Sequence, residues 1–298
     1  MASPEVLKDA SPLSGAPRDA HDPVPDGTVC ASCGTALTGP YCHACGEKRL
    51  GPHDYALGHW LEHAVDAFTH FDLKVPKSLW SLLRRPGVMT ADVLAGRRRA
   101  WATPFQVFLI ANLIYYVLAG LLGLGTFETP LRYHFTFRYG DLARRLSEAQ
   151  AAAQGLTLEA YAEHFDALAH TLSKTLVIFF VPVLAALFAL LHRRRRRYAL
   201  EHVTAGLHFM SLLLLLLPIP FPFVLLMVKL TGTSTGDAYW TWCTVLLMIA
   251  YASVFFRRVY SDPWWAAALK AIAVPFVFYA ALMFAYRRLL FFLIHALL

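Results

Sequence analysis

Charge is the scarcest ingredient of this 298-residue chain. Asp, Glu, Lys and Arg make up 16% of it, against about a quarter of an ordinary soluble domain. With 57% of residues hydrophobic, that shortage sets aside a conventional water-soluble fold. Other absences narrow the field further. No glycine-rich phosphate cradle, serine elbow or dinucleotide fingerprint occurs, so nucleotide and serine-hydrolase chemistry have no foothold. No internal repeat is evident, which counts against the duplicated architecture of many secondary transporters. Residues 1–29 are rich in Pro, Asp, Ser and Gly and lack an apolar core. They are expected to be a disordered tail without a cleavable signal, starting in the cytoplasm. The net charge of +7 raises the question of nucleic acid. The arginines, however, flank apolar runs instead of lining one soluble face, so nucleic acid is an unfavoured partner and the lipid bilayer a favoured one.

What the chain has in quantity is long apolar segments. Five are expected to cross a bilayer as helices: 104–125, 174–192, 203–228, 239–256 and 264–286. The third is interrupted by Pro218, Pro220 and Pro222 and should be kinked or broken. The last ten residues, LLFFLIHALL, are too few to cross and are expected along the interface. With the N-terminus inside, thirteen Lys and Arg residues fall on cytoplasmic flanks and eight on the other side. The run Arg193–Arg197 is the strongest orientation signal. Residues 126–175 then form a periplasmic loop, helical in its spacing from Leu158 to Leu172. Residues 51–100 read as amphipathic, interfacial helices leading into a basic junction around Arg84-Arg85-Pro86-Gly87 and Arg97-Arg98-Arg99. The expected fold class is thus an all-α polytopic membrane protein with about five transmembrane helices, its domain over 101–298.

Four of the five cysteines fall within sixteen residues. Cys30-x-x-Cys33-Gly34 and Cys42-x-x-Cys45-Gly46 are two knuckles, each placing a pair of thiolates on a turn closed by glycine. Doubled at this spacing they complete a four-sulfur site, for which structural zinc is the natural ion. A ribbon spanning 30–50 has no core of its own, so metal would supply its folding energy. His43 is expected to be a bystander and Cys243, alone in an apolar run, a packing residue.

Two further groups carry chemistry. Glu201, Thr204, His208 and Ser211 recur at helical spacing on one stripe of the third crossing, with His202 a third of a turn away. Asn112 and His192 are candidate partners for them. Such residues within a bilayer are costly and face either a partner or a watery cavity, so they serve as interhelical ties or as a ligand or proton site. His59-Trp60-Leu61-Glu62-His63 matches an H-x-x-E-H metalloprotease pattern, but no soluble body surrounds it and a solvated helix face explains it.

Three blocks give the chain a resemblance. CASCG…GPYCHACGEK, FDLKVPKSLWSLLRRPGVMTADVLAGRRRAWATPFQVFL and YALEHVTAGLHF resemble, in order and spacing, a bacterial membrane-protein family catalogued as domain of unknown function 3667. The resemblance implies the zinc ribbon and the topology. It also gives weight to Glu201, His202 and His208, and lends no mechanism. The functional expectation is a ribbon-bearing membrane scaffold that binds a protein partner, more an interaction module than an enzyme. A small transporter using the Glu/His stripe is the alternative, and a membrane metallohydrolase the third.

Overall fold

The computed structural model describes residues 29–51, 73–193, 198–232 and 236–298. The tail, the H-x-x-E-H segment with its amphipathic face, and Arg194–Arg197 lie outside these residues. Among the described residues the protein is helical, and its only strand-like pairings are two isolated bridges, Val29 with Ala36 and Tyr41 with Lys48.

The chain enters through two short helices, α1 (Val75–Arg84) and α2 (Val88–Leu94), separated by the Arg85-Pro86-Gly87 turn. α3 (Pro104–Leu122) opens with a proline in its first turn, and the Thr103 hydroxyl accepts the Gln106 backbone N–H at 3.4 Å. Both features satisfy the first turn's otherwise unpaired donors. Two small helices follow, α4 (Leu131–His134) and α5 (Gly140–Ala153). α6 (Leu158–Leu176), capped by Thr157, runs through one 3-10 turn into α7 (Phe180–Leu191). α8 (Ala199–Leu216) and α9 (Pro220–Thr231) are joined by a turn containing Pro218. α10 (Gly236–Tyr260) precedes α11 (Trp264–Ala280), which continues through a π-helical turn, Ala281–Tyr286, into α12 (Arg287–Leu297).

Five helices are long and apolar enough to cross a membrane: Pro104–Leu122, Leu158–Leu191, Ala199–Thr231, Ala238–Tyr260 and Trp264–Leu297. The protein is therefore built as a multi-pass membrane protein. The five expected crossings are present, and their extents differ most in the second, third and fifth. The second begins at Leu158, well inside the stretch expected as a loop, because the apolar spacing of Tyr161, Phe165 and Ala169 continues unbroken into the span and packs on neighbouring helices. The third covers 33 residues, with its break at Pro218. The last ten residues do not fold back along an interface. They extend the fifth helix outward and pack α12 on α6, with Leu290, Phe291 and Ile294 buried.

α8 is the central helix: every residue from Leu200 to Leu216 is buried except Val203. α3, α7, α10 and the α1–α2 pair surround it. Gly206 is where α7 comes closest, since a Cβ there would stand 3.0 Å from the Val181 carbonyl oxygen. Small residues at such crossings let backbones approach in lipid. The end of α7, the start of α8 and the α10–α11 turn lie at one end of the bundle, beside α1, α2 and the cysteine ribbon (the ribbon end). α4, α5, the start of α6 and α12 form a helical head at the far end.

Candidate metal centre and the junction beneath it

The ribbon is two copies of one turn. Gly34 N–H donates to the Cys30 carbonyl at 2.9 Å and Cys30 N–H to Thr35 at 2.8 Å; Gly46 to Cys42 and Cys42 to Glu47 repeat this at 2.7 and 2.9 Å. Both turns need a positive φ, and glycine supplies it, at +76° for Gly34 and +72° for Gly46. The turns bring all four sulfurs within 4.8 Å of one another. Cys30 and Cys45 approach to 3.5 Å, as do Cys33 and Cys42. Tetrahedral metal–sulfur bonds of about 2.3 Å place sulfurs roughly 3.8 Å apart, so the four thiols fit a metal ion's shell. His43 is exposed and outside this group.

Charge explains how a cation would settle these thiols. Hydrogen bonds at Thr35 pull the Cys33 thiol down to about 6. For Cys45 a hydrogen bond at the Glu47 backbone acts in the same sense. Desolvation and the three neighbouring thiols outweigh it and push Cys45 up to about 12. Four adjacent thiolates repel one another unless an ion sits among them.

The ribbon rests on the basic junction. Glu47, buried, accepts the Ser32 hydroxyl at 2.6 Å within the ribbon and the Arg99 backbone N–H at 3.1 Å below it. A Cβ at Gly96 would lie 3.4 Å from Ala31 and 3.6 Å from Leu50, so the two surfaces touch. The junction is braced internally by Asp92, which accepts both Arg97 nitrogens at 2.9 and 2.6 Å and the Trp101 indole at 3.1 Å. It is also tied to the bundle, through Thr90 with His208 Nδ1 at 3.0 Å and Arg258 donating to the Pro86 carbonyl at 3.0 Å.

The polar residues of the third crossing do not converge on one point. Tyr198 N–H donates to the Glu201 carboxylate at 3.4 Å, closing the start of α8. His202 Nδ1 meets the Tyr260 hydroxyl at 3.2 Å, while Ser211 donates to the Leu207 carbonyl at 2.7 Å. Thr204 is buried beside them. Asn112 lies on α3 and donates instead to the Lys174 carbonyl at 2.8 Å. His192 connects to His202 through Tyr260, on which both rings stack, and anchors a second cluster. Its Nε2 meets Asp262 at 2.8 Å, Lys270 grips both oxygens of Asp262 at 2.9 and 2.8 Å, and the imidazole stacks on Tyr260 at 3.8 Å. Glu47, Thr90, Asp262 and Lys270 were not singled out from sequence. Glu47 directly follows the second knuckle, and Asp262 sits eight residues before Lys270 in the Ser-Asp-Pro turn. Those were the available signals.

A helical bundle suited to crossing a membrane, with a four-thiol cluster seated on its basic end, defines the class of protein. Residues 72–116, covering α1, α2 and most of α3, match the model of a family described as "Protein of unknown function (DUF3667)", the family that the junction resembles. Neither a curated protein nor a solved structure matches the chain.

Proposed function

We propose that this protein is a scaffold of the bacterial cytoplasmic membrane whose zinc ribbon clamps the basic junction from the cytoplasmic side and presents its outer face to a protein partner. Zinc is the ion that four soft donors in a closed tetrahedral shell favour, in a compartment that keeps thiols reduced. The cytoplasmic assignment follows from the charge distribution. Arg84, Arg85, Arg97, Arg98, Arg99, Arg257, Arg258 and Lys270 gather at the ribbon end, as the positive-inside rule requires of the retained side.

The observation that carries the reading is the buried Glu47 carboxylate shared between Ser32 of the ribbon and Arg99 of the junction. It makes the ribbon part of the membrane domain's surface. The polar side chains of the third crossing act as interhelical and intrahelical ties, because Glu201, His202, His208 and Ser211 each bond to a neighbouring group, while His208 Nε2 stays buried without a partner.

The test is zinc content together with tryptic cleavage of the purified full chain. Wild type should carry about one zinc per chain and resist cleavage at Arg97–Arg99. Cys30→Ser/Cys33→Ser should lose the metal and be cut there. Equal cleavage of both, or a metal-free wild type with an intact ribbon, would defeat the proposal. Crosslinked capture in native membranes, compared between the same two chains, then asks for the partner; capture that survives loss of the metal would remove the ribbon from partner binding.

A further inference from the structure

The far end of the bundle carries arginines that orientation does not call for. Arg287 and Arg288 open α12 directly after the π-helical turn Ala281–Tyr286, a local irregularity often found at functional positions. Each guanidinium lies over an aromatic ring of the α4–α5 connection. Arg287 stands 5.0 Å from the centre of Phe137 and Arg288 5.5 Å from that of Tyr139. The two rings are themselves stacked, 5.9 Å apart and 16° from parallel. Among the described residues neither arginine forms an ion pair with a carboxylate, and the Nε of each is buried without a hydrogen-bond partner. Stacking on a ring satisfies the face of a guanidinium and leaves its edge N–H groups to a planar or tetrahedral oxyanion.

Depth decides which oxyanion. The fifth crossing is 34 residues long. Measured from Trp264 and Trp265, exposed where an interfacial anchor would be, a hydrocarbon layer of about 30 Å takes up about 20 residues at roughly 1.5 Å each. That ends near Met283, one turn short of Arg287. Phe284 and Phe292 lie one turn either side of Arg288 on the same face and are 59% and 43% exposed. Both guanidiniums therefore sit at phosphate depth, Arg288 on a face turned towards lipid and Arg287 beside it, towards the buried Leu290 and Phe291.

We infer that Arg287 and Arg288, braced by Phe137 and Tyr139, bind the phosphate of an anionic phospholipid headgroup in the leaflet away from the ribbon. This goes beyond the scaffold reading and does not depend on the zinc. The positive-inside rule disfavours arginines on a translocated side, so their retention here fits recognition and not topology.

The test uses the purified full chain in nanodiscs of phosphatidylcholine alone or mixed with phosphatidylglycerol, read by its thermal midpoint. Phosphatidylglycerol should raise the wild-type midpoint by roughly 2–4 °C. Arg287→Gln/Arg288→Gln should abolish the rise. Arg287→Lys/Arg288→Lys, which keeps the charge and covers the case of a poorly folding glutamine variant, should lose most of it, because lysine neither stacks nor forks. Arg85→Gln/Arg257→Gln at the ribbon end should retain it. Three results would each overturn the inference: a full rise in the lysine variant, loss of the rise only in the ribbon-end variant, and an equal rise from inorganic phosphate in phosphatidylcholine discs, which would assign the arginines to a free anion.

Discussion

Glu47 and His134 are single side chains whose partners define what their loss should do. Replacing Glu47 with Ala leaves the Ser32 hydroxyl and the Arg99 N–H without their acceptor. A hydrogen bond to a charged group contributes about 1.5–3 kcal/mol. Glu47→Ala should therefore speed amide exchange at Arg99 and across the junction while zinc content is unchanged. Exchange at wild-type rates would remove Glu47 from the clamp.

His134 sits buried in the far-end head, its Nδ1 against the Tyr139 hydroxyl at 2.6 Å and its Nε2 against the Thr129 carbonyl at 3.2 Å. Both contacts suit a neutral ring that donates from Nε2 and accepts at Nδ1. Burial lowers its pKa from 6.5 to about 4, so between these values the unfolded chain binds the extra proton and the folded head does not. Stability should be fully present above pH 6.5 and decline as the pH falls towards 4, by at most about 3 kcal/mol. Denaturation of wild type and His134→Gln across this window checks it. The slope should flatten in the variant, and equal slopes would place the acid sensitivity elsewhere.

At the scale of helices, two contacts set how the crossings lock. Gly206 admits α7 so closely that Gly206→Val should destabilise the detergent-solubilised protein by about 1–3 kcal/mol, the ordinary cost of overpacking. An unchanged thermal midpoint would mean that α7 and α8 can separate freely. The His192–Asp262–Lys270 cluster joins the α7–α8 end to the α10–α11 turn in a buried setting. Removing Asp262 alone should cost about 3–5 kcal/mol, because it leaves Lys270 without its anion and the His192 ring without its hydrogen-bond acceptor. A His192→Phe/Asp262→Leu/Lys270→Met variant should recover much of that loss. If the triple variant is no better than Asp262→Ala, the cluster's worth lies in shape and not in charge.

The crossings were legible in the sequence because lipid demands length and apolarity within one contiguous stretch, and Pro104 and Pro220 mark helix starts by local chemistry. The four cysteines were legible for the same reason: two turns of fixed spacing settle where the sulfurs point. Thr90 with His208 and His192 with Asp262 were not legible. They join positions 118 and 70 residues apart, a pairing fixed by how helices pack. Leu158–Leu172 was legible as helix from its apolar spacing but was assigned to the loop ahead of the crossing, because Glu159, Glu163, His164, Asp166 and His170 make its other face polar. The outward run of α12 was missed because ten residues were weighed alone, apart from the helix that continues into them.

At the scale of the whole molecule, the proposed scaffold has a direction as well as a fold. Under the proposed orientation the ribbon end faces the cytoplasm, and five crossings, an odd number, put residue 298 on the other side. The most direct measurement fuses a phosphatase that is active only outside the cytoplasm to residue 1 in one strain and to residue 298 in another. The fusion at residue 1 should be inactive and the one at residue 298 active; activity at residue 1, or inactivity at both ends with the fusions intact, would overturn the orientation.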